Sequence, residues 1–271
     1  MADVHARQSS RPQEARFQSV SAIQFVIWVT IGAIIIASIS DVSPSPQRLA
    51  EGFPRIGKLL GRMLPPETDP AFLARMSWRL VETIQIAIAG TVLGVLLSLP
   101  IAWLSARGVT PVPAVAFLFK GIVSFFRTVP DLVWALIFVV SVGLGAVAGT
   151  MTILVDTIGF CGRFFAEAME DADKGPQEAL RAIGASQFNI LTSAVLPDAM
   201  PSLINTTLFA LEKAVRSSVV LGLVGAGGIG QELKSAFDLF QYQKASAIIL
   251  AIFIIVIAME WATDRLRLKV Q

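Results

Sequence analysis

The chain has 271 residues, of which 54% are hydrophobic and 15% charged, and its formal net charge is only +2. Soluble domains carry about a quarter charged residues, so this composition excludes an ordinary soluble enzyme and indicates a membrane protein. The small net charge gives no reason to expect nucleic-acid binding. The single cysteine, Cys161, excludes an intrachain disulfide, and the single histidine, His5, argues against a histidine-based metal or acid–base centre. We therefore predict an all-α, polytopic membrane protein.

The N-terminal region divides into a polar tail and an apolar run. Residues 1–19 are rich in Gln, Ser and Arg, which predicts a cytoplasmic tail. The run over 22–40 approaches the 20 or so apolar residues that a helix needs to cross a bilayer, so we predict a first span there. It is long for the apolar core of a secretory signal, and no small-residue cleavage site follows it.

The next segment, 41–79, is mixed in character. It contains six prolines and six Lys or Arg residues. Ile56, Leu59, Leu60 and Met63 share one face between the charges, which predicts a short surface helix. Its sequence indicates no function.

Three spans are predicted next, at about 80–106, 112–142 and 146–166. The first contains Gly90 and Gly94, a spacing that lets two helices approach closely but also occurs by chance. The second is interrupted between Arg127 and Asp131, where Pro130 removes a backbone donor and disfavours helical geometry at Val129. We expect a kinked or broken helix that carries a cation and an anion.

The connecting segment, residues 174–197, mixes polar and apolar residues between two spans. Pro176 suits a first helical turn, Gly184 supplies a bend, and Ser186 can cap a second helical run. This pattern predicts two short helices at an angle, outside the bilayer, with Pro197 preceding the next span. Periodicity alone is also consistent with an interfacial element that rests on lipid headgroups.

Two further spans are predicted at about 199–223 and 245–263, followed by a cytoplasmic tail, 266–271. Span five contains Glu212, Lys213 and Arg216, although each charge inside a span costs about 2.5–3.5 kcal/mol on insertion scales. Glu212 and Arg216 are four residues apart and can pair on one face. The glycine string 225–230 matches a dinucleotide fingerprint, but no strand precedes it, so we predict tight packing or backbone exposure at a helix end.

The connecting segment also places particular residue types at fixed intervals: Glu178, Ala179, Leu180, Gly184, Ala194, Leu196 and Pro197. This arrangement resembles the EAA loop of ABC-importer permeases. Leu180 stands where the loop has its second alanine and Ala194 where it has isoleucine, and both replacements are apolar. The resemblance implies a cytoplasmic coupling helix in which Glu178, Ala179, Leu180, Gly184, Leu196 and Pro197 dock on a separate ATPase subunit.

A larger part of the chain, about 78–265, resembles the permease subunit of phosphonate ABC importers. The resemblance rests on 126–135, the acidic run 167–173, the connecting segment and 212–230. Part of the glycine-rich run is shared with methionine-type permeases. The family implies a homodimer of permeases in the bacterial inner membrane, two ATPase subunits and a periplasmic or lipid-anchored binding protein. It also implies that this chain binds no cofactor, because ATP and Mg²⁺ bind to the ATPase.

The predicted substrate path is based on cations inside the spans. A phosphonate is an anion, and guanidinium groups suit phosphoryl oxygens. We predict Arg127 and Arg216 as the main path residues, Lys213 as a weaker one, and Glu212 as the partner of Arg216. The Glu212–Arg216 pair can equally serve only to hold helices together. Lys120 can extend to the nearer membrane interface.

Several alternatives remain at this stage. The solute could be methionine, phosphate or another small oxyanion, and a secondary transporter would also have buried charges, although the chain shows no inverted repeat. The absence of a nucleophile–base set argues against an embedded enzyme. The predicted cytoplasmic side carries ten Lys or Arg residues and the other side eight, a weak bias, so orientation follows from the EAA resemblance rather than from charge.

Overall fold

The computed structural model describes residues 21–43, 45–110 and 113–268, and the regular structure within them is helical. The predicted tail 1–19 lies outside these residues. The described residues form two compact units, one that ends at Lys58 and one that begins at Leu59. The helices are α1 (Ala22–Val42), α2 (Pro46–Met63), α3 (Pro70–Ser105), α4 (Pro113–Thr128), α5 (Asp131–Val142), α6 (Ala146–Asp171), α7 (Lys174–Ala182), α8 (Gln187–Ile190), α9 (Leu196–Gly222), α10 (Ile229–Asp238) and α11 (Tyr242–Arg267).

Among the described residues, five helices are long and apolar enough to cross a membrane: α1, α3, α6, the helix Gln187–Gly222 and α11. Helices α4 and α5 reach that length only together, and they are bent by 87° at the break between them. The predicted break at Pro130 is therefore confirmed. The prediction of about six spans agrees with the structure when the bent pair counts as one span.

Helix α6 is the centre of the larger unit, since it packs against α3, α4, α5 and α9. Gly90 and Gly94 bring α3 close to α6. A Cβ atom at Gly90 would lie 2.7 Å from Ile153 Cβ, and one at Gly94 would lie 2.5 Å from Thr157 Cβ. The sequence left open whether these glycines pack helices or recur by chance, and the structure shows packing, because any side chain there would separate the helices.

The glycine-rich turn between α9 and α10 packs against the start of α6 and against α3. Gly225, Gly227 and Gly228 have positive φ angles of 96°, 84° and 72°, which favour glycine. The Ile229 N–H donates to Thr83 Oγ1 over 2.8 Å, and a Cβ at Gly227 would lie 2.8 Å from the backbone nitrogen of Ala146. Of the two alternatives predicted for this string, tight packing or backbone exposure at a helix end, the structure shows tight packing.

The connecting segment differs from its prediction in one respect. Gly184 bends the chain at φ +80°, and the Ser186 hydroxyl caps the second helical run through the Asn189 N–H. That run does not end before the next span, however, because Gln187–Gly222 is one continuous helix. A π-helical turn at Leu191–Val195 precedes Pro197. Its wider spacing leaves room for the proline ring, which a regular α-turn would press against the preceding turn.

Two predicted boundaries also shift. Helix α3 begins ten residues before the predicted start of span two, because Asp69 caps it by accepting a hydrogen bond from the Phe72 N–H over 2.9 Å. Helix α11 continues to Arg267, which was predicted to lie in the C-terminal tail. The extra turn matters for the charged site, where Arg267 makes an ion pair.

Candidate functional site

An ion pair joins α9 to α6 inside the bundle. The Lys213 ammonium donates to both carboxylate oxygens of Asp156, each over 2.8 Å, and lies 5.4 Å from the centre of the Phe160 ring. Lys213 was predicted as a path residue, whereas Asp156 was missed. Asp156 could have been identified from the sequence, because a carboxylate inside an apolar span is rare and usually forms an ion pair or belongs to a functional site. The contact makes Lys213 a paired cation in this structure.

Glu212 is the most buried charged group of the site, and its two carboxylate oxygens bind different arginines. Arg216 donates to one oxygen over 2.8 Å and Arg267 to the other over 3.2 Å. Arg267 also lies 3.4 Å from Asp264 on its own helix. The predicted Glu212–Arg216 pair is present, and the structure adds Arg267 from the end of α11. One buried carboxylate therefore holds two guanidinium groups.

Arg127 lies at the end of α4, immediately before the bend. Its backbone packs tightly on α6, where a Cβ at Gly159 would lie 3.1 Å from the Arg127 nitrogen. Its side chain is exposed and lines a cleft of about 220 Å³. Ion pairs between Lys120 and Glu170 and between Arg163 and Glu167 contribute side chains to the same cleft. No described carboxylate lies within 4.0 Å of the Arg127 guanidinium nitrogens.

The bend itself is attached to α9 next to Arg216. The Ser217 hydroxyl donates to Asp131 Oδ2 over 3.2 Å, and Asp131 is the first residue of α5. The structure thus places Glu212, Lys213 and Arg216 together on α9. Within the described residues, Arg127 makes no hydrogen bond with those three side chains.

The Lys213–Asp156 pair gives a direct test of this arrangement. Lys213→Ala should lower stability by about 1–3 kcal/mol, because it leaves a carboxylate unpaired inside a span, with a discount for the partial exposure of both groups. The double variant Lys213→Asp with Asp156→Lys should recover most of the loss. Thermal unfolding in detergent measures both effects. Lys234→Ala, which breaks an exposed pair with Asp238, is the control, and an equal loss in that variant would contradict the prediction.

The connecting segment lies at one end of the bundle, beside the end of α3. The Arg181 guanidinium donates to the Gly108 carbonyl over 2.9 Å, and the Arg107 N–H donates to Glu170 over 2.8 Å. The second half of the segment is anchored in the core, where Leu191 and Val195 are buried. The first half of the segment, α7, therefore lies against the end of α3, whereas its second half belongs to the helix Gln187–Gly222.

The predicted coupling residues are for the most part accessible on this end. Glu178, Ala179, Gly184 and Pro197 are exposed, and Leu180 and Leu196 are half-buried against the core. Ile183, beside the bend, is 79% exposed although it is apolar. These residues form an accessible surface with an apolar side chain at its tip, and their role in docking remains a prediction.

Comparison with known proteins identifies the family. The family described as "Binding-protein-dependent transport system inner membrane component" matches residues 74–271. The Mycolicibacterium smegmatis protein named "Phosphate-import permease protein PhnE" is 40% identical over 215 residues, which is 79% of this chain and 40% of that protein. The Stutzerimonas stutzeri protein named "Phosphite transport system permease protein PtxC" is 39% identical over 210 residues, covering 77% and 75% of the two chains.

The fold is also similar to that of a solved transporter. A methionine ABC transporter in an inward-facing conformation superposes with a TM-score of 0.65 at 23% identity, over 75% of this chain and all of that one. The resemblance to permeases for phosphorus oxyanions, inferred from the sequence, is confirmed by the relatives. The chain belongs to the family of binding-protein-dependent transport system inner membrane components and is a multi-pass permease.

Proposed function

We propose that this permease forms the membrane path for a phosphorus oxyanion, such as a phosphonate, phosphite or phosphate, in an ATP-driven importer. The names of the two relatives support this substrate class, and the family description supports a binding protein that delivers the solute. The fold likeness to a methionine transporter concerns the fold alone and does not favour methionine.

The exposure of Arg216 is the observation that carries the proposal. Its side chain belongs to a membrane-spanning helix, yet 46% of it is exposed in a single copy of the chain. A charged side chain inside a membrane-spanning segment is costly in lipid and almost always faces a bundle interior or a water-filled cavity. We therefore infer that this side faces water or a second copy. A homodimer with a water-filled, cation-lined path between the copies satisfies this requirement.

Arg216 and Arg127 then serve as weak anion contacts. Guanidinium groups bind phosphoryl oxygens through paired hydrogen bonds, and a transported anion must also leave. Glu212 competes with the substrate for Arg216, which keeps binding weak. Lys213 is held by Asp156 and contributes mainly to the local field.

The partners follow from the position of the connecting segment. We propose that each of two ATPase subunits receives one connecting segment, with Glu178 and Gly184 at the contact. ATP and Mg²⁺ bind to the ATPase in this proposal, and this chain binds no cofactor of its own. A periplasmic or lipid-anchored binding protein docks on the opposite side of the membrane.

Arginine replacement tests the path. Arg216→Ala or Arg127→Ala should lower uptake of labelled methylphosphonate, phosphite or phosphate by roughly ten- to a hundredfold, the equivalent of one charged hydrogen bond of about 1.5–3 kcal/mol. Uptake into proteoliposomes that contain the complete transporter measures the effect, with co-purified ATPase as the check on assembly. Arg75→Ala removes an exposed arginine from α3 and is the control. Normal uptake of all three anions by both variants would remove the path assignment.

A further inference from the structure

Helix α2 has no part in the proposed path, and its two faces are chemically opposite. Phe53, Ile56 and Leu60 are 75%, 54% and 54% exposed. They are separated by three and four residues, so they form one apolar stripe along the helix. The cations repeat at similar intervals on the other side, at Arg48, Arg55, Lys58 and Arg62. This separation is that of a surface helix with one face in an apolar medium.

The flanks of the two stripes are glycines. Gly52, Gly57 and Gly61 have no atom within 4 Å of an added Cβ, so nothing described packs over them. The acidic residue of the helix, Glu51, accepts a hydrogen bond from Arg55 over 3.2 Å on the polar face. The other cations of that face have no described carboxylate within 4.0 Å. The polar face is thus predominantly positive.

Chain connectivity keeps both ends of α2 close to predicted spans. The membrane-spanning helix α1 ends at Val42, and α3 begins at Pro70, so short linkers tie both ends of α2 to spans. An extended linker gains at most about 3.3–3.6 Å per residue. The carbonyl of Met63, the last residue of α2, accepts a hydrogen bond from Ser246 Oγ over 2.6 Å, at the start of α11. This end of α2 is therefore attached to the bundle.

We propose that α2 lies flat in the membrane interface, with its apolar stripe among the acyl chains and its cations on anionic phospholipid headgroups. A short, amphipathic, cationic helix has the composition of interfacial anchors. If a binding protein covered the apolar stripe, the stripe would be exposed to water each time that protein left after a delivery. The bilayer, in contrast, covers it at all times. Anionic headgroups also supply the counter-charge that the polar face lacks.

Helix α2 is also the main source of the weak charge bias of the sequence. Four of the six cations in 41–79 belong to α2. The positive-inside rule counts Lys and Arg in short loops between spans, so these four cations account for much of the charge on the side opposite the connecting segment. Cations that are bound to headgroups on the side opposite the connecting segment are compatible with the orientation that the EAA resemblance implies.

Positions 56 and 58 are two residues apart on opposite faces of α2, so they provide a matched test. Cys161 is the one cysteine of the chain and is buried. In a Cys161→Ala background, Ile56→Cys and Lys58→Cys carry an environment-sensitive fluorophore. The full-length permease is reconstituted in phosphatidylcholine vesicles with or without roughly a quarter of phosphatidylglycerol, a mixture that sets the surface charge. Quenching by spin-labelled lipid and by aqueous iodide is measured at both positions.

At position 56, lipid quenching should be about threefold stronger than at position 58, and iodide quenching should show the opposite order. The double charge reversal Arg55→Glu with Arg62→Glu should weaken lipid quenching at position 56 and remove its dependence on phosphatidylglycerol. Equal iodide quenching at positions 56 and 58 would overturn the proposal. If position 56 became protected from iodide only after the binding protein was added, the membrane proposal would be overturned in favour of protein docking.

Discussion

A leucine in place of Gly230 is expected to prevent α10 from packing on α9 and to reduce folded permease to a small fraction of the wild-type amount. A Cβ atom at this position would overlap the Val219 carbonyl oxygen and lie 3.0 Å from Gly222 Cα. Both obstacles are backbone atoms, so no rotamer change can relieve the contact. Overpacking by a single group costs about 1–3 kcal/mol, and leucine adds four carbons against a total stability of about 5–15 kcal/mol.

The yield of monodisperse protein after detergent extraction measures this effect. Gly121→Leu is a matched control within the same bundle, because a Cβ at Gly121 meets no atom within 4 Å. We expect Gly121→Leu to be recovered at a normal level. A Gly230→Leu protein that is recovered equally well, with an unchanged melting temperature, would show that the turn between α9 and α10 yields more readily than the structure indicates.

Charge reversal at Glu178 should strongly lower transport while the permease stays folded. Glu178 is exposed on α7, close to Lys174 and Arg181, so Glu178→Lys makes this face of the helix uniformly positive. The fold should be unaffected because no described hydrogen bond is lost. Loss of a central interface residue costs about 2 kcal/mol or more, roughly thirtyfold in affinity. We therefore expect the ATPase to dissociate and uptake to fall to a similar extent.

Gly184→Asp is a second variant of the same surface. Aspartate tolerates the positive φ of this bend better than most residues, and a Cβ there meets no atom within 4 Å. Co-purification of the ATPase, stimulated ATP hydrolysis and uptake are measured together. Asp238→Lys, a charge reversal at an exposed residue of α10, is the control. If Glu178→Lys and Gly184→Asp both retained the ATPase and normal hydrolysis, the connecting segment would not be the docking site.

The membrane character of the chain follows from its apolar runs, and so do most of its spans. Helix α2 was predicted from the spacing of four apolar residues, Ile56, Leu59, Leu60 and Met63. The break in span three was predicted from Pro130. The Glu212–Arg216 pair was predictable because four residues make about one helical turn. Each of these features depends on residues that are close in sequence, where helical geometry sets the distances.

The contacts that define the charged site join residues that are far apart in sequence. Lys213 and Asp156 are 57 residues apart, and Arg267 and Glu212 are 55 apart, so their pairing depends on how the helices pack and rotate. The continuity of Gln187–Gly222 through Pro197 likewise required a π-helical turn that residue propensities do not reveal. Sequence alone determined a polytopic permease with a connecting segment and charged spans. Tertiary structure decided which charges are neutralised and which stay exposed, because burial and ion pairing depend on neighbours that the local pattern does not specify.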